Sequence, residues 1–396
     1  MTVFFSYAFR PLFLLATVYA IVVVPLWVGA WLGYLPFPLL LGGPSGWHAH
    51  EMIFGFAGAA VGGFALTAVA TWTNRPPVSG APLLVLSLLW LLARVLFSLP
   101  SQSLVIPAIF ADLGYGGLLF ALMSREVIGA RNERNYKVLL ILGLLVASNA
   151  VFFLGVMRGA GWSMTAVNSG LWLVVLLINL IGDRIIPAFT RNWLKRKDAG
   201  QKRQTMKLPP TFDRFDLLSS SLLVGFAVSQ LAQAPARWTA LLGLVTGVVL
   251  FIRLARWQGI RGGEEPLVWV LHVAFLWLPL GVFLLAFAEL GLLPQTAGIH
   301  ALTAGAITTM ILAVASRAAL GHTGRPLQSH PLLTAAYVLI TIAAICRVAA
   351  TFGPAARVLL GASATAWCLG FICFAWRYAP ILTQPRVQRQ ASLPTA

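Results

Sequence analysis

The chain has 396 residues, of which 59% are hydrophobic and 10% charged, and it carries a formal net charge of +17. That balance excludes a soluble globular domain, whose core would need more polar residues to cover it. It fits a protein whose outer solvent is lipid, and apolar runs that continue for about 20 residues, instead of alternating over about ten, argue against a transmembrane β-barrel.

In chain order, about twelve segments are long and apolar enough to span a bilayer: residues 9–32, 49–71, 81–99, 104–123, 136–156, 165–186, 216–233, 238–254, 266–289, 298–316, 331–350 and 355–378. The expected fold is an all-α integral membrane protein. No cleavable signal peptide is expected, because the N-terminus lacks a basic flank and an A-x-A-like site. Basic residues follow every second segment. Arg75 follows the second, Arg125, Arg131, Arg134 and Lys137 the fourth, Arg253, Arg256 and Arg261 the eighth, Arg317 and Arg325 the tenth, and Arg377, Arg386 and Arg389 the twelfth. Nine Lys and Arg residues follow the sixth, between Arg184 and Arg214. The loops after the first, third and ninth segments have none, with Arg158, Arg237 and Arg357 as the exceptions elsewhere. This asymmetry predicts cytoplasmic N- and C-termini in a multi-pass protein of the cytoplasmic membrane.

The same pattern divides the chain into a first six-span half (1–183), a basic cytoplasmic linker (184–215), a second half (216–380) and a polar, frayed tail (381–396). The linker is suited to anionic lipid head groups. The topology rule already accounts for its charge, so nucleic acid is not an expected partner. Cys346, Cys368 and Cys373 lie in apolar runs without C-x-x-C pairing and read as buried small hydrophobes.

Ionisable residues inside spans are candidates for function. By the topology above, His48, His50 and Glu51 stand at the outer end of the second span, level with His300 at the outer end of the tenth. His272, His322 and His330 fall on the inner side. Residues two apart on a helix point about 200° apart, so His48 and His50 face different centres. Glu51 shares the face of His48 at i+3, where it is placed to orient that imidazole or to hold a proton. Asp112, deep in the fourth span, is placed to pair with an arginine or to serve a proton path.

The stretches "WHAHEMIFGFAGAAVGGFALTAV", "LIGDRIIPAFT", "LVWVLHVAFLWLPL" and "HALTAGAITTMILAVASRAALGHTGRPL" resemble the signature segments of the NnrS family along nearly the whole chain. That resemblance implies a bacterial inner-membrane protein with about twelve spans, containing haem and copper, linked to nitric oxide resistance and denitrification. The chain departs from the family pattern at Asp183 and Ala188. "HAHEMIFGF" and "HALTAGAI" are also similar to the second and tenth helices of haem–copper oxidase subunit I. Carried over, that likeness implies an oxidase-like bundle in which His48 and His300 are the axial ligands of a b-type haem near the periplasmic face. The oxidase copper site does not carry over, since the sixth and seventh spans hold no histidine. His50, His272 and His322 are then the candidate ligands of copper or a second centre. Nitric oxide is the implied ligand or substrate, and a quinol or an electron-donor protein the implied reductant, with NO-metabolising redox activity an open question. Two other classes stay open: a metal or small-molecule permease, and a quinone-linked electron carrier without NO specificity.

Overall fold

A computed structural model describes residues 3–35, 42–99, 101–201 and 208–387. Among the described residues the chain is all-helical, with twelve long helices and no strand. They are α1 (Phe9–Trp31), α2 (Gly43–Thr73), α3 (Ala81–Ser98), α4 (Val105–Gly129), α5 (Tyr136–Met157), α6 (Ser163–Gln201), α7 (Arg214–Leu231), α8 (Ala236–Arg256), α9 (Pro266–Glu289), α10 (Gln295–His322), α11 (Pro331–Ala349) and α12 (Ala356–Thr383).

Eleven of these helices are long and apolar enough to cross a membrane. The exception is α7, which the sequence counted as a span. Its 18 residues include Arg214, Asp216, three consecutive serines and Gln230, which lower its apolar content. It begins on a capping box in which the Asp213 carboxylate accepts from the Phe215 and Asp216 amides, while Asp216 accepts from the Asp213 amide.

Two boundaries differ from the hydropathy pattern for physical reasons. Gly42 and Gly43 adopt φ of 66° and 77°, which turns the chain sharply, and Pro44 then starts α2 ahead of the apolar run. At the other extreme, α6 continues through Pro187 to Gln201. The expected boundary at residue 183 therefore falls inside a helix. Lys202, Arg203 and Lys207 of the linker lie outside the described residues, as does the tail beyond residue 387. Residues 381–383 of that tail are the last turn of α12.

Most sequence neighbours pack side by side, and the chain closes on itself where α1 packs against α12. Helix α2 is the most buried span. It touches α1, α4, α6 and α10, so the first and second halves share one core. At one end of the bundle the Arg10 guanidinium donates to the Leu382 carbonyl at 2.8 Å, and the Phe9 amide donates to Thr67 Oγ1 at 3.0 Å. At the opposite end the Trp47 indole donates to the Phe97 carbonyl at 3.0 Å, which pins the start of α2 to the last turns of α3.

Both α2 and α10 change pitch just after a histidine. Residues Glu51–Ala57 follow His50, and Ala301–Ile307 follow His300, as seven-residue π-helical stretches. Such stretches are rare, and those that occur are frequently at functional sites. Small residues let the helices approach closely here. A Cβ on Gly298 would lie 2.8 Å from the Leu285 backbone nitrogen of α9. Gly298→Ala therefore forces α10 away from α9. It is expected to cost about 1–3 kcal/mol, measured as a fall in Tm in detergent. Gly361→Ala is the control: nothing lies within 4 Å of its added methyl. That variant should be neutral or stabilising by up to about 1 kcal/mol.

Candidate functional site

The described histidines fall into two groups at opposite ends of the bundle. At one end are His48, His50 and His300. His322 sits at the other, with its ring 5.2 Å from Tyr7 and 5.7 Å from Phe9. His330 caps α11 by accepting from the Leu332 amide at 3.3 Å.

His50 is fully buried within an aromatic cage of Phe54, Phe97, Phe152 and Phe153, at centroid distances of 4.9–5.4 Å. Its Nδ1 lies 2.8 Å from Glu51 Oε1, and its Nε2 lies 3.0 Å from Asn149 Oδ1. Asn149 spends its Nδ2 donor on Asp112 Oδ2 at 2.6 Å, so its oxygen faces the imidazole as an acceptor. With an acceptor at each ring nitrogen, both nitrogens carry protons. Arg94, on α3, donates to Glu51 Oε1 at 2.9 Å and pairs with Asp112. The Tyr19 hydroxyl donates to the other Glu51 oxygen. Two carboxylates, one guanidinium and one imidazolium thus close a neutral, fully buried network across α1, α2, α3, α4 and α5. Gly55 makes room for it, since a Cβ there would overlap the Arg94 guanidinium.

This network bears on two expectations about the ring partners. Glu51, expected to orient His48, bonds His50, Arg94 and Tyr19 instead. The buried cation and hydroxyl draw the carboxylate to their side of α2, and the π stretch that begins at Glu51 changes the helix phase there. His50, a candidate copper ligand, has no lone pair free in this arrangement.

His48 is different. It stacks on Trp27 of α1, with centroids 4.2 Å apart and planes 26° apart, and its Nδ1 is buried without a hydrogen-bond partner. His300 donates from Nδ1 to the Thr296 carbonyl at 2.7 Å, which leaves the lone pair on Nε2. That hydrogen bond is of the kind that fixes the tautomer of a metal-binding imidazole. His48 and His300 lie close enough to interact electrostatically, and Arg347 of α11 acts on both. The residue types therefore fit an iron-bearing tetrapyrrole that needs two neutral imidazoles.

The donor set does not build a copper centre in the same way. Among the described residues no three His, Cys, Asp or Glu side chains form a group able to hold a metal ion. His272 donates from Nε2 to Thr190 Oγ1 at 2.9 Å, because that hydroxyl spends its own proton on the Ile186 carbonyl. Its Nδ1 is buried without a hydrogen-bond partner. His322, between its two aromatic rings, is not part of that arrangement.

The family model described as NnrS protein matches residues 3–386. The chain belongs to the NnrS family. No curated protein matches it. In this NnrS chain Asp183, a departure from the expected family pattern, has a partner of its own. Arg253 of α8 pairs with Asp183, donates from Nε to Asp216 Oδ1 at 2.9 Å and from Nη1 to Asn179 Oδ1 at 2.8 Å. The arginine also lies over the faces of Trp257 and Phe275. This second buried network ties α6, α7 and α8 together. Inspection of the sequence for candidate residues missed Arg94, Arg253, Arg347 and Trp27. The signal available was an arginine inside an apolar span, which needs a partner as much as an aspartate does.

Proposed function

We propose that this NnrS-family protein is a haem-binding protein of the bacterial inner membrane that acts in the response to nitric oxide. His48 and His300 are the axial ligands of a b-type haem at one end of the bundle. A haem so ligated supplies one-electron transfer when bound. The observation that carries this reading is the contrast among the three histidines at that end. His50 spends both nitrogens on protein acceptors, whereas His48 has a buried Nδ1 without a partner and His300 keeps the Nε2 lone pair.

The chain's own residues then have defined tasks. Thr296 holds the tautomer of His300. Trp27 fixes the ring plane of His48. The Arg94 network keeps His50 and Glu51 out of the ligand set and gives α2 a rigid floor at that end. Copper, implied by the family resemblance, has His272 Nδ1 as its best-placed donor among the described residues. The positive-inside pattern supports cytoplasmic termini, which would put the haem near the periplasmic face, within reach of the outer leaflet.

A small apolar cleft, lined by residues such as Phe13, Phe64, Ile178, Ile185 and Met310, lies between α1, α2, α6 and α10. Its lining suits a small uncharged gas better than an ion, which favours nitric oxide over the cargo of a metal permease.

The test is optical. Protein purified from haem-replete cells should show a Soret band, with sharp α and β bands on reduction. Anaerobic NO added to the reduced protein should change that spectrum or be consumed. A folded but colourless protein would rule out both this reading and the quinone-linked carrier, leaving the permease. A low-spin haem indifferent to NO would favour the electron carrier.

A further inference from the structure

The end of the bundle that carries His48 and His300 holds more unmatched donors than those two rings. Arg347 lies in the last turn of α11, whose neighbours include α10. It is partly buried, and no carboxylate partner or hydrogen bond is found for it among the described residues. The acids nearby are committed elsewhere. Glu51 and Asp112 hold Arg94, and Glu289 accepts from Gln230 at 3.0 Å. Trp27, stacked on His48, has a buried indole Nε1 with no acceptor. A half-buried guanidinium and a buried N–H donor are costly when left alone. Trp27 stacks on one candidate axial ligand and Arg347 acts on both, and what the two donors lack is an anion with acceptor oxygens.

We infer that Arg347 and Trp27 Nε1 bind the propionate carboxylates of the tetrapyrrole held by His48 and His300, which fixes the rotation of the macrocycle and raises its reduction potential. The inference rests on the haem assignment above and extends it from the iron to the edge of the ring. A guanidinium recognises a carboxylate through a charge-assisted and often bidentate hydrogen bond. An indole N–H is a donor only, so its partner must accept. A positive charge held at the ring edge also disfavours the extra charge of the oxidised iron, so its loss lowers the potential. A lipid phosphate at the same place would satisfy Arg347 but would leave the propionates untouched.

The experiment uses full-length, haem-loaded protein purified in detergent, as wild type, R347A, R347K and W27F. Four quantities are read: the low-spin spectrum, the propionate bending modes in resonance Raman, the midpoint potential, and the rate of haem transfer to apomyoglobin. In R347A the iron should remain low-spin, a propionate mode should shift, the potential should fall, and haem loss should speed up about tenfold or more. R347K keeps the charge and should restore the potential more fully than the Raman mode. W27F keeps an aromatic ring against His48 and should move a propionate mode with little change in potential. Should R347A misfold, R347K and W27F still decide the matter through the Raman modes. Unchanged modes and unchanged haem loss in R347A and W27F, with the low-spin spectrum intact, would overturn the inference and leave the axial assignment standing. An unchanged low-spin haem spectrum in a His48→Ala protein, or wild type without haem, would defeat both.

Discussion

His48→Ala is expected to abolish the low-spin haem spectrum, His300→Ala to do the same, and His50→Ala to leave it in place. The prediction follows from where each imidazole spends its nitrogens. His300 is oriented by Thr296 through Nδ1, and His48 carries an unpartnered Nδ1 against Trp27. Removing either leaves an iron with one protein ligand, which changes the spin state even where some haem remains. His50 is committed to Glu51 and Asn149. Its removal strips one positive charge from a neutral buried network, so His50→Ala should lower Tm while the Soret and α bands persist. Spectra and melting curves on the same three preparations check both halves. The reverse pattern, with loss on His50→Ala and retention on His48→Ala, would mean that the buried network is the ligand set.

Arg94→Ala should be among the most destabilising single substitutions in the chain, at about 3–5 kcal/mol. The guanidinium is almost fully buried between Glu51 and Asp112, and its loss leaves two carboxylates facing one imidazolium in the interior. Arg94→Lys should recover only part of the loss, because a single ammonium cannot replace a fork that reaches two carboxylates on different helices. Arg237, exposed at the start of α8 beside Trp238, is the control. Arg237→Ala should fall within about 0.5 kcal/mol of wild type. Thermal unfolding in one detergent at one pH makes the comparison, and a loss for Arg94→Ala as small as the control's would refute the idea of a closed charge network.

The helical bundle was readable in the sequence because a span in lipid must bury its own backbone polar groups, which leaves one long apolar run per helix. The same logic fails where a helix is not uniformly apolar. Helix α6 runs on into its basic stretch, and α7 falls short because Arg214, Asp216, three serines and Gln230 dilute its apolar residues. The histidines were legible as candidates because ionisable residues in spans stand out. Their partners were not. Glu51 meets Arg94, Asp112 and Tyr19 on other helices, at separations along the chain that no periodicity encodes. Asp112 does pair with an arginine, but which arginine depends on how α3 and α4 face each other. The phase of His48 against His50 was argued on a regular 3.6-residue helix, and the change to π pitch at Glu51 lies beyond that argument.

That change of pitch has a consequence for insertions and deletions. A stretch bonded from i to i+5 winds more slowly than the α-helix on either side, so it acts as a rotational offset between the histidine end of α2 or α10 and the rest of the same helix. The lower part of each helix is locked by its neighbours, as Thr67 is to Phe9 and Ser316 to Tyr337. Each wide stretch absorbs one extra residue: inserting another, or forcing all seven back into regular winding, would swing the histidine by about 100° around the axis, whereas deleting one residue together with the wide turn would keep its aim. The aim of both imidazoles therefore depends on the residue count of two seven-residue stretches as much as on the residues themselves.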